Sequence, residues 1–278
     1  MNILDNRALK ILGRYVLISI LAIIWLYPLI IVISTSVRTQ MDIVCRGVFK
    51  LPAKIIFDNF SKAWDLGNFS IFYKNSVIIS FIKVPIGIFV SALAAYPLAK
   101  WNFKLRDGIF YFFILGFGIP VTVTLLPLTI LLNKIHLLNT LWSLLFPYIA
   151  FGLPFQILTC RGFFRTIPDE LIEAARIDGC GEISIFSKII LPLSRPALAA
   201  LFIIDFVATW NEFPMALIFI HDDRWKTIPL GIMYFQGQFS SSYGVINAGV
   251  ALSILPVLFV YILLQRYFVE GTAGALKG

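Results

Sequence analysis

Lys83, Asp205 and Glu212 are ionisable residues set inside otherwise apolar runs. Charge in such surroundings is costly, and it marks ion pairs, proton relays or solute paths. Lys83 and Asp205 have opposite sign and could pair across the fold. Either could instead line a cavity, and Lys83 could also extend its stem to a membrane interface. Glu212 lies in Trp210-Asn211-Glu212-Phe213, which makes Asn211 a fourth polar candidate. Catalytic material is otherwise scarce. His136 and His221 are far apart, and Cys45, Cys160 and Cys180 have neither metal-ligand nor disulfide-framework spacing. No Ser/His or paired-Asp arrangement is visible. No G-x-x-x-x-G-K-[ST] phosphate loop occurs, so the chain is expected to bind no nucleotide, metal or other cofactor.

The elements that must position these residues follow from composition. Of 278 residues, 59% are hydrophobic and only 14% charged, and mean hydropathy is +0.88. Soluble domains run nearer ~45–50% apolar and ~25% charged. Segments 15–37, 108–133, 135–160 and 227–265 contain no Asp, Glu, Lys or Arg. This excludes a soluble enzyme, a disordered chain and a DNA-binding domain. A helix of ~20 apolar residues crosses a bilayer core. Six such stretches are expected, at about 15–37, 75–99, 108–132, 138–160, 196–220 and 244–265. The runs are continuous rather than alternating, so the fold class is all-α, a polytopic membrane bundle forming a single domain over 1–278. The first run is too long for a signal-peptide core and lacks a cleavage motif. Prolines such as Pro85, Pro120, Pro147 and Pro214 predict kinked or broken spans.

The net charge of +8 reads as topology rather than nucleic-acid binding. With the N-terminus inside, inner segments hold thirteen Lys and Arg and outer segments nine. The contrast is sharper in short loops, where 100–107 carries Lys100, Lys104 and Arg106 and 133–137 only Lys134. Both termini are therefore expected in the cytoplasm.

Segment 161–195 is about 35 residues long, between two spans, and is patterned as two short helices. Thr166 is expected to cap a helix over Pro168–Asp178, with Asp169 and Glu170 at its positive end and Gly179 stopping it. Leu171, Ala174, Ala175 and Asp178 would share a face, with Ile172 beside them. A second helix, about Glu182–Ile190, is expected to end before Pro192. Asp169, Glu170, Glu173 and Asp178 against Arg176 make the first helix acidic, a poor match to anionic lipid. Docking to another protein fits it better than lying on the membrane.

Glu173-Ala174-Ala175, three residues, Gly179, nine residues, then Ile189-x-Leu191-Pro192 resembles the EAA loop of binding-protein-dependent ABC importer permeases at all seven fixed positions. Asn75-Ser76, the Trp210–Phe213 segment and the tail Val269–Gly278 resemble the carbohydrate branch, closest to the smaller permease of the maltose type. The tail lacks one Leu that the family usually carries after its first Gly. The resemblance implies a subunit of an ATP-driven sugar or oligosaccharide importer in a bacterial or archaeal cytoplasmic membrane. It implies a second homologous permease, two ATPase subunits holding ATP and Mg, and an external solute-binding protein as partners. Glu173, Ala174, Ala175, Asp178, Gly179, Ile189, Leu191 and Pro192 would couple to an ATPase subunit. Glu270, Gly271, Gly274, Lys277 and Gly278 would reach the ATPase dimer. The loop 221–243, with Asp222, Arg224, Trp225, Tyr234, Phe235 and Gln236, would meet the binding protein, unless its aromatics form an interfacial belt. The competing reading is a secondary solute transporter, which would also have six kinked spans but would not need the EAA knob.

Overall fold

The computed structural model describes residues 2–65, 68–238 and 242–275. Among the described residues the chain is helical, without strands. In order the helices are α1 (Asn2–Ser36), α2 (Gln40–Arg46), α3 (Asp58–Asp65), α4 (Phe69–Lys100), α5 (Arg106–Phe117), α6 (Val121–Lys134) and α7 (Trp142–Thr166). They continue as α8 (Asp169–Ile177), α9 (Glu182–Ile185), a π-helical turn (Phe186–Ile190), α10 (Leu191–Leu193), α11 (Arg195–Trp210) and α12 (Pro214–Phe219). A 3-10 turn (Asp223–Trp225), α13 (Ile228–Gln238) and α14 (Tyr243–Ala275) complete the chain. Ile11–Ser36, Phe69–Lys100, Trp142–Thr166 and Tyr243–Tyr267 are each long and apolar enough to cross a membrane. Two bent pairs, α5 with α6 and α9–α10 with α11, bring the number to six if each pair is one span.

The chain divides into two compact units. The first comprises residues 1–69 and 232–253. Its α1 exposes Trp25, Ile18 and Ile23 at 80%, 61% and 63%, as a lipid-facing helix does. Past α1 the chain is tied by Arg38, which is fully buried. Its guanidinium meets Asp42 Oδ2 at 2.5 Å and donates to the carbonyls of Gly47 and Lys50 at 2.9 Å. Asn59 donates to the carbonyls of Ser36 and Arg38, 2.8 Å each. Gly244 must lack a side chain, because a Cβ there would sit 2.5 Å from Asn59 Nδ2.

The second unit comprises residues 70–231 and 254–278 and holds the polar residues singled out above. One part of its core gathers Ile79, Leu144, Tyr148, Met215, Phe219 and Leu230, with Trp225 against it. Side chains that are apolar on all sides suit lipid and core alike, so polar contacts fix which faces turn inward. Arg161 is the clearest case. It donates to the Leu98 carbonyl at 3.0 Å and to Asp107 at 3.1 Å, and stacks 3.7 Å above the Phe110 ring.

The breaks expected at Pro120 and Pro214 occur, Pro85 and Pro147 instead sit inside continuous helices, and one helix boundary needs correction. The span at 108–132 is broken between Phe117 and Val121 and bends by 95°. Pro120 is extended (ψ 132) and has no N–H to continue the α5 ladder. The span at 196–220 is also broken. α11 ends at Trp210 because Pro214 forces a new start, and Phe213 before it leaves the helical region (φ −124). Conversely, the helix expected to end before Pro192 runs through to Leu193, then bends by 74° into α11. The missing Pro192 N–H is absorbed by the π turn, in which the Leu191 amide reaches back to the Phe186 carbonyl.

Candidate functional site

Two sites emerge in the second unit, a helix-turn-helix knob and a polar cavity. The knob is α8, a turn, and α9. Thr166 does not cap it, since its hydroxyl donates to the Phe163 carbonyl within the last turn of α7. Pro168 occupies the cap position, and the N-terminus is held from outside by Lys100. The Lys100 ammonium pairs with Asp169 at 2.6 Å and contacts the Ile167 carbonyl. At the far end the Gly179 amide donates to the Arg176 carbonyl at 3.0 Å, and the Cys180 amide to Ala175 at 2.9 Å. These two bonds form a Schellman motif, which places Gly179 in the left-handed region at φ +82. A Cβ on Gly179 would meet nothing within 4 Å. Its requirement for glycine is therefore conformational rather than steric.

The expected face of α8 divides in two. Ile172 and Ala175 are buried, 2% and 7% exposed. Ala175 thus turns into its own subunit and offers nothing outward. Glu173, Ala174, Asp178 and Gly179 are exposed. Beside them Ile177 and Ile183 stand 86% and 84% exposed, an unusual amount of free apolar surface. Ile189, Leu191 and Pro192 are half-buried in the π turn and α10, where they shape the bend.

Glu182 was not singled out in the sequence, yet it joins the knob to α4. It accepts from Tyr96 Oη at 2.7 Å and Trp101 Nε1 at 3.1 Å, while its other oxygen meets Arg176 Nε at 2.8 Å. The Glu182 carboxylate raises the pKa of Arg176, mainly by accepting that hydrogen bond. Only the sequence separation of these partners hid them, 86, 81 and 6 residues.

The cavity is about 180 Å³ and is lined by Lys83, Tyr148, Phe151, Asp205, Thr209 and Glu212, among others. Lys83 and Asp205 form a salt bridge with both side chains almost fully buried. Gln156 lies alongside, fully buried, and its Oε1 accepts from Ser91 Oγ at 2.7 Å. Gly152 leaves room for this group, since a Cβ there would sit 3.0 Å from Gln156 Nε2 and 3.2 Å from Lys83 Nζ. Two buried polar atoms of the cluster, Asp205 Oδ2 and Gln156 Nε2, lack a hydrogen-bond partner among the described residues. Glu212 closes one side. Its carboxylate accepts from Tyr148 Oη and from the amides of Met215 (2.8 Å) and Ala216 (3.2 Å), satisfying the start of α12. Asn211 is exposed and bonds back to the Val207 carbonyl at 3.0 Å.

The expected loop at 221–243 is largely helix. Asp222 accepts from the Arg224 amide and side chain, which holds the 3-10 turn and keeps the Asp222 carboxyl below its usual pKa, mainly through Arg224. Arg224 is otherwise exposed, and Trp225 packs on the core. Asn75 donates both amide hydrogens inward, to the carbonyls of Arg224 and Lys226 at 2.9 Å each, and the Ser76 hydroxyl accepts from the Ile228 amide at 2.9 Å. Phe235, expected at a contact surface, is 1% exposed and packs on Phe69 with ring centroids 5.7 Å apart. The side chains of Tyr234 and Gln236 lie outside the described residues. In the tail, Glu270, Gly271 and Gly274 fall within α14 with their side chains outside the description, and Lys277 and Gly278 lie outside the described residues.

Comparison with known proteins agrees with this architecture. Residues 84–273 match the family model for the binding-protein-dependent transport system inner membrane component. A putative ABC transporter permease protein, ORF2 of Caldicellulosiruptor sp. (strain Rt8B.4), is 37% identical, covering 95% of this chain and 96% of the relative. The melibiose/raffinose/stachyose import permease protein MelC of Bacillus subtilis (strain 168) is 33% identical over 94% of this chain and 95% of its own. A crystal structure of a bacterial ABC transporter involved in the import of the acidic polysaccharide alginate contains a chain with TM-score 0.79. That chain is 25% identical, and the match covers 95% of this chain and 98% of it.

Proposed function

The chain belongs to the binding-protein-dependent transport system inner membrane component family, and from that premise we propose that it forms one half of the translocation pore of an ATP-driven sugar importer. It is a non-catalytic subunit. A second permease completes the pore, two ATPase subunits hold ATP and Mg beneath it, and an external binding protein delivers the solute. Likeness to a melibiose/raffinose/stachyose import permease favours a sugar or oligosaccharide as that solute.

The observation that carries the coupling role is the outward surface of the knob. Glu173, Ala174, Asp178 and Gly179 are exposed together with Ile177 and Ile183. A mixed surface of small, acidic and apolar residues suits a cleft in another protein, and its Schellman turn and Glu182 anchor keep it in shape. ATP-driven closure of the ATPase pair would move such a knob as a body and, through the π turn and α10, swing α11. Glu270 to Gly278 would extend from α14 towards the same partners, and Asp222, Arg224 and Trp225 would face the binding protein from the other side. This orientation puts both termini in the cytoplasm.

The test is uptake by the complex reconstituted in liposomes with its partner permease, ATPase and binding protein. Uptake should require both ATP and the binding protein. Uptake driven by an ion gradient without either would favour a secondary transporter and sink the proposal.

A further inference from the structure

We propose that the cavity beside the Lys83–Asp205 pair is a solute subsite carried by this subunit, built for a neutral, hydroxyl-rich ring rather than an anionic one. The inference rests on the importer reading above and adds the substrate class to it. Charge comes first. Of the residues lining the cavity, Lys83 is the one cation, and it is spent on Asp205. Glu212 adds a second carboxylate, compensated only by a hydroxyl and two amides. The wall is net negative by one charge and has no free counter-charge for a carboxylate or phosphate.

Hydrogen-bonding capacity comes next. Among the described residues Asp205 Oδ2 in the lining is an unused acceptor, and Gln156 Nε2, behind the lining at Gly152, is an unused donor, both buried. Such groups are costly when left unpaired. A hydroxyl both donates and accepts, so one sugar hydroxyl can serve the carboxylate and a neighbouring one the amide. Thr209 spends its proton on the Asp205 carbonyl at 2.7 Å, which leaves its oxygen free to accept. The orphaned atoms are occluded in this conformation. For a solute hydroxyl to reach them, pore opening must expose them. Phe151 supplies an apolar face for the C–H side of a sugar ring.

The experiment measures uptake KM and maximal rate for the reconstituted complex with raffinose, melibiose and their uronate counterparts, alongside affinities of the isolated binding protein. Wild type should carry a neutral saccharide in preference to its uronate counterpart. Thr209→Val should raise uptake KM about two- to tenfold, the size of one lost hydrogen bond, and Gly152→Ala should raise it by crowding Gln156 Nε2 and Lys83 Nζ. Binding-protein affinity should be unchanged, and Thr209→Ser should restore the wild-type KM, which separates solute contact from a folding defect. Equal KM in wild type and both variants, or preference for the uronate, overturns the subsite while leaving the importer reading intact. Absence of any ATP-dependent uptake by wild type would instead remove the importer reading on which it stands.

Discussion

The amide of Cys180 donates to the carbonyl of Ala175 across 2.9 Å, and that bond forces Gly179 between them into the left-handed region at φ +82. The geometry separates backbone strain from steric clash, because the space around Gly179 is empty.

Gly179→Ala should therefore cost about 1–2 kcal/mol in the knob alone, while the complex still assembles. Solute transported per ATP hydrolysed should fall. Gly179→Asn should be milder, because Asn tolerates the left-handed conformation better. Equal coupling ratios for wild type and Gly179→Ala would show that the turn does not transmit the movement.

The three cysteines report on topology and docking without mutation. Cys45 is exposed, Cys180 is partly exposed, and Cys160 is buried. A membrane-impermeant maleimide should label Cys45 from outside intact cells and Cys180 only from the cytoplasmic side. Assembly with the ATPase should protect Cys180 and leave Cys45 reactive. Labelling of Cys180 at an undiminished rate in the full complex would contradict docking through the knob.

Lys83→Met strands the buried Asp205 carboxylate and should lower stability by about 3–5 kcal/mol. The double variant Lys83→Met/Asp205→Leu should recover most of that loss, since an apolar pair fills the same space without unpaired charge. Apparent Tm in detergent reads both. A double variant no more stable than the single would mean the pair contributes through something other than mutual neutralisation.

Asn75→Ala removes two donors from the carbonyls of Arg224 and Lys226 and should cost about 1–3 kcal/mol. Loosening should concentrate at 222–228, where hydrogen exchange would speed up. Asn75→Asp should be worse than Asn75→Ala, because it sets a carboxylate against two carbonyl oxygens. Unchanged exchange at 222–228 in both variants would show that the segment is held by Trp225 and the core instead.

The knob was legible in the sequence because its signals are local. Gly179 ends α8, acids open it, and the exposed small residues follow within ten positions. The helix breaks were marked by Pro120 and Pro214, but Pro85 and Pro147, marked in the same way, sit inside continuous helices. Hydropathy averaged over twenty residues passes smoothly across Gly118-Ile119-Pro120, since each half is apolar and only the backbone at Pro120 differs. Lys83 and Asp205 were visible as costly charges, but their union spans 122 residues and depends on which faces of α4 and α11 meet. Faces are hard to read where every side is apolar. The inward turn of Ala175 and the burial of Phe235 were missed for the same reason. Small and aromatic residues serve a core and a contact surface equally well.

Ile177 and Ile183 carry a further consequence, for biogenesis rather than transport. An unmated copy holds two nearly bare isoleucines to water beside an otherwise polar turn. Exposed apolar side chains of this kind favour self-association and recognition by proteases. If the ATPase covers the knob as proposed, overproduction of this chain alone should yield less material than co-expression with that ATPase.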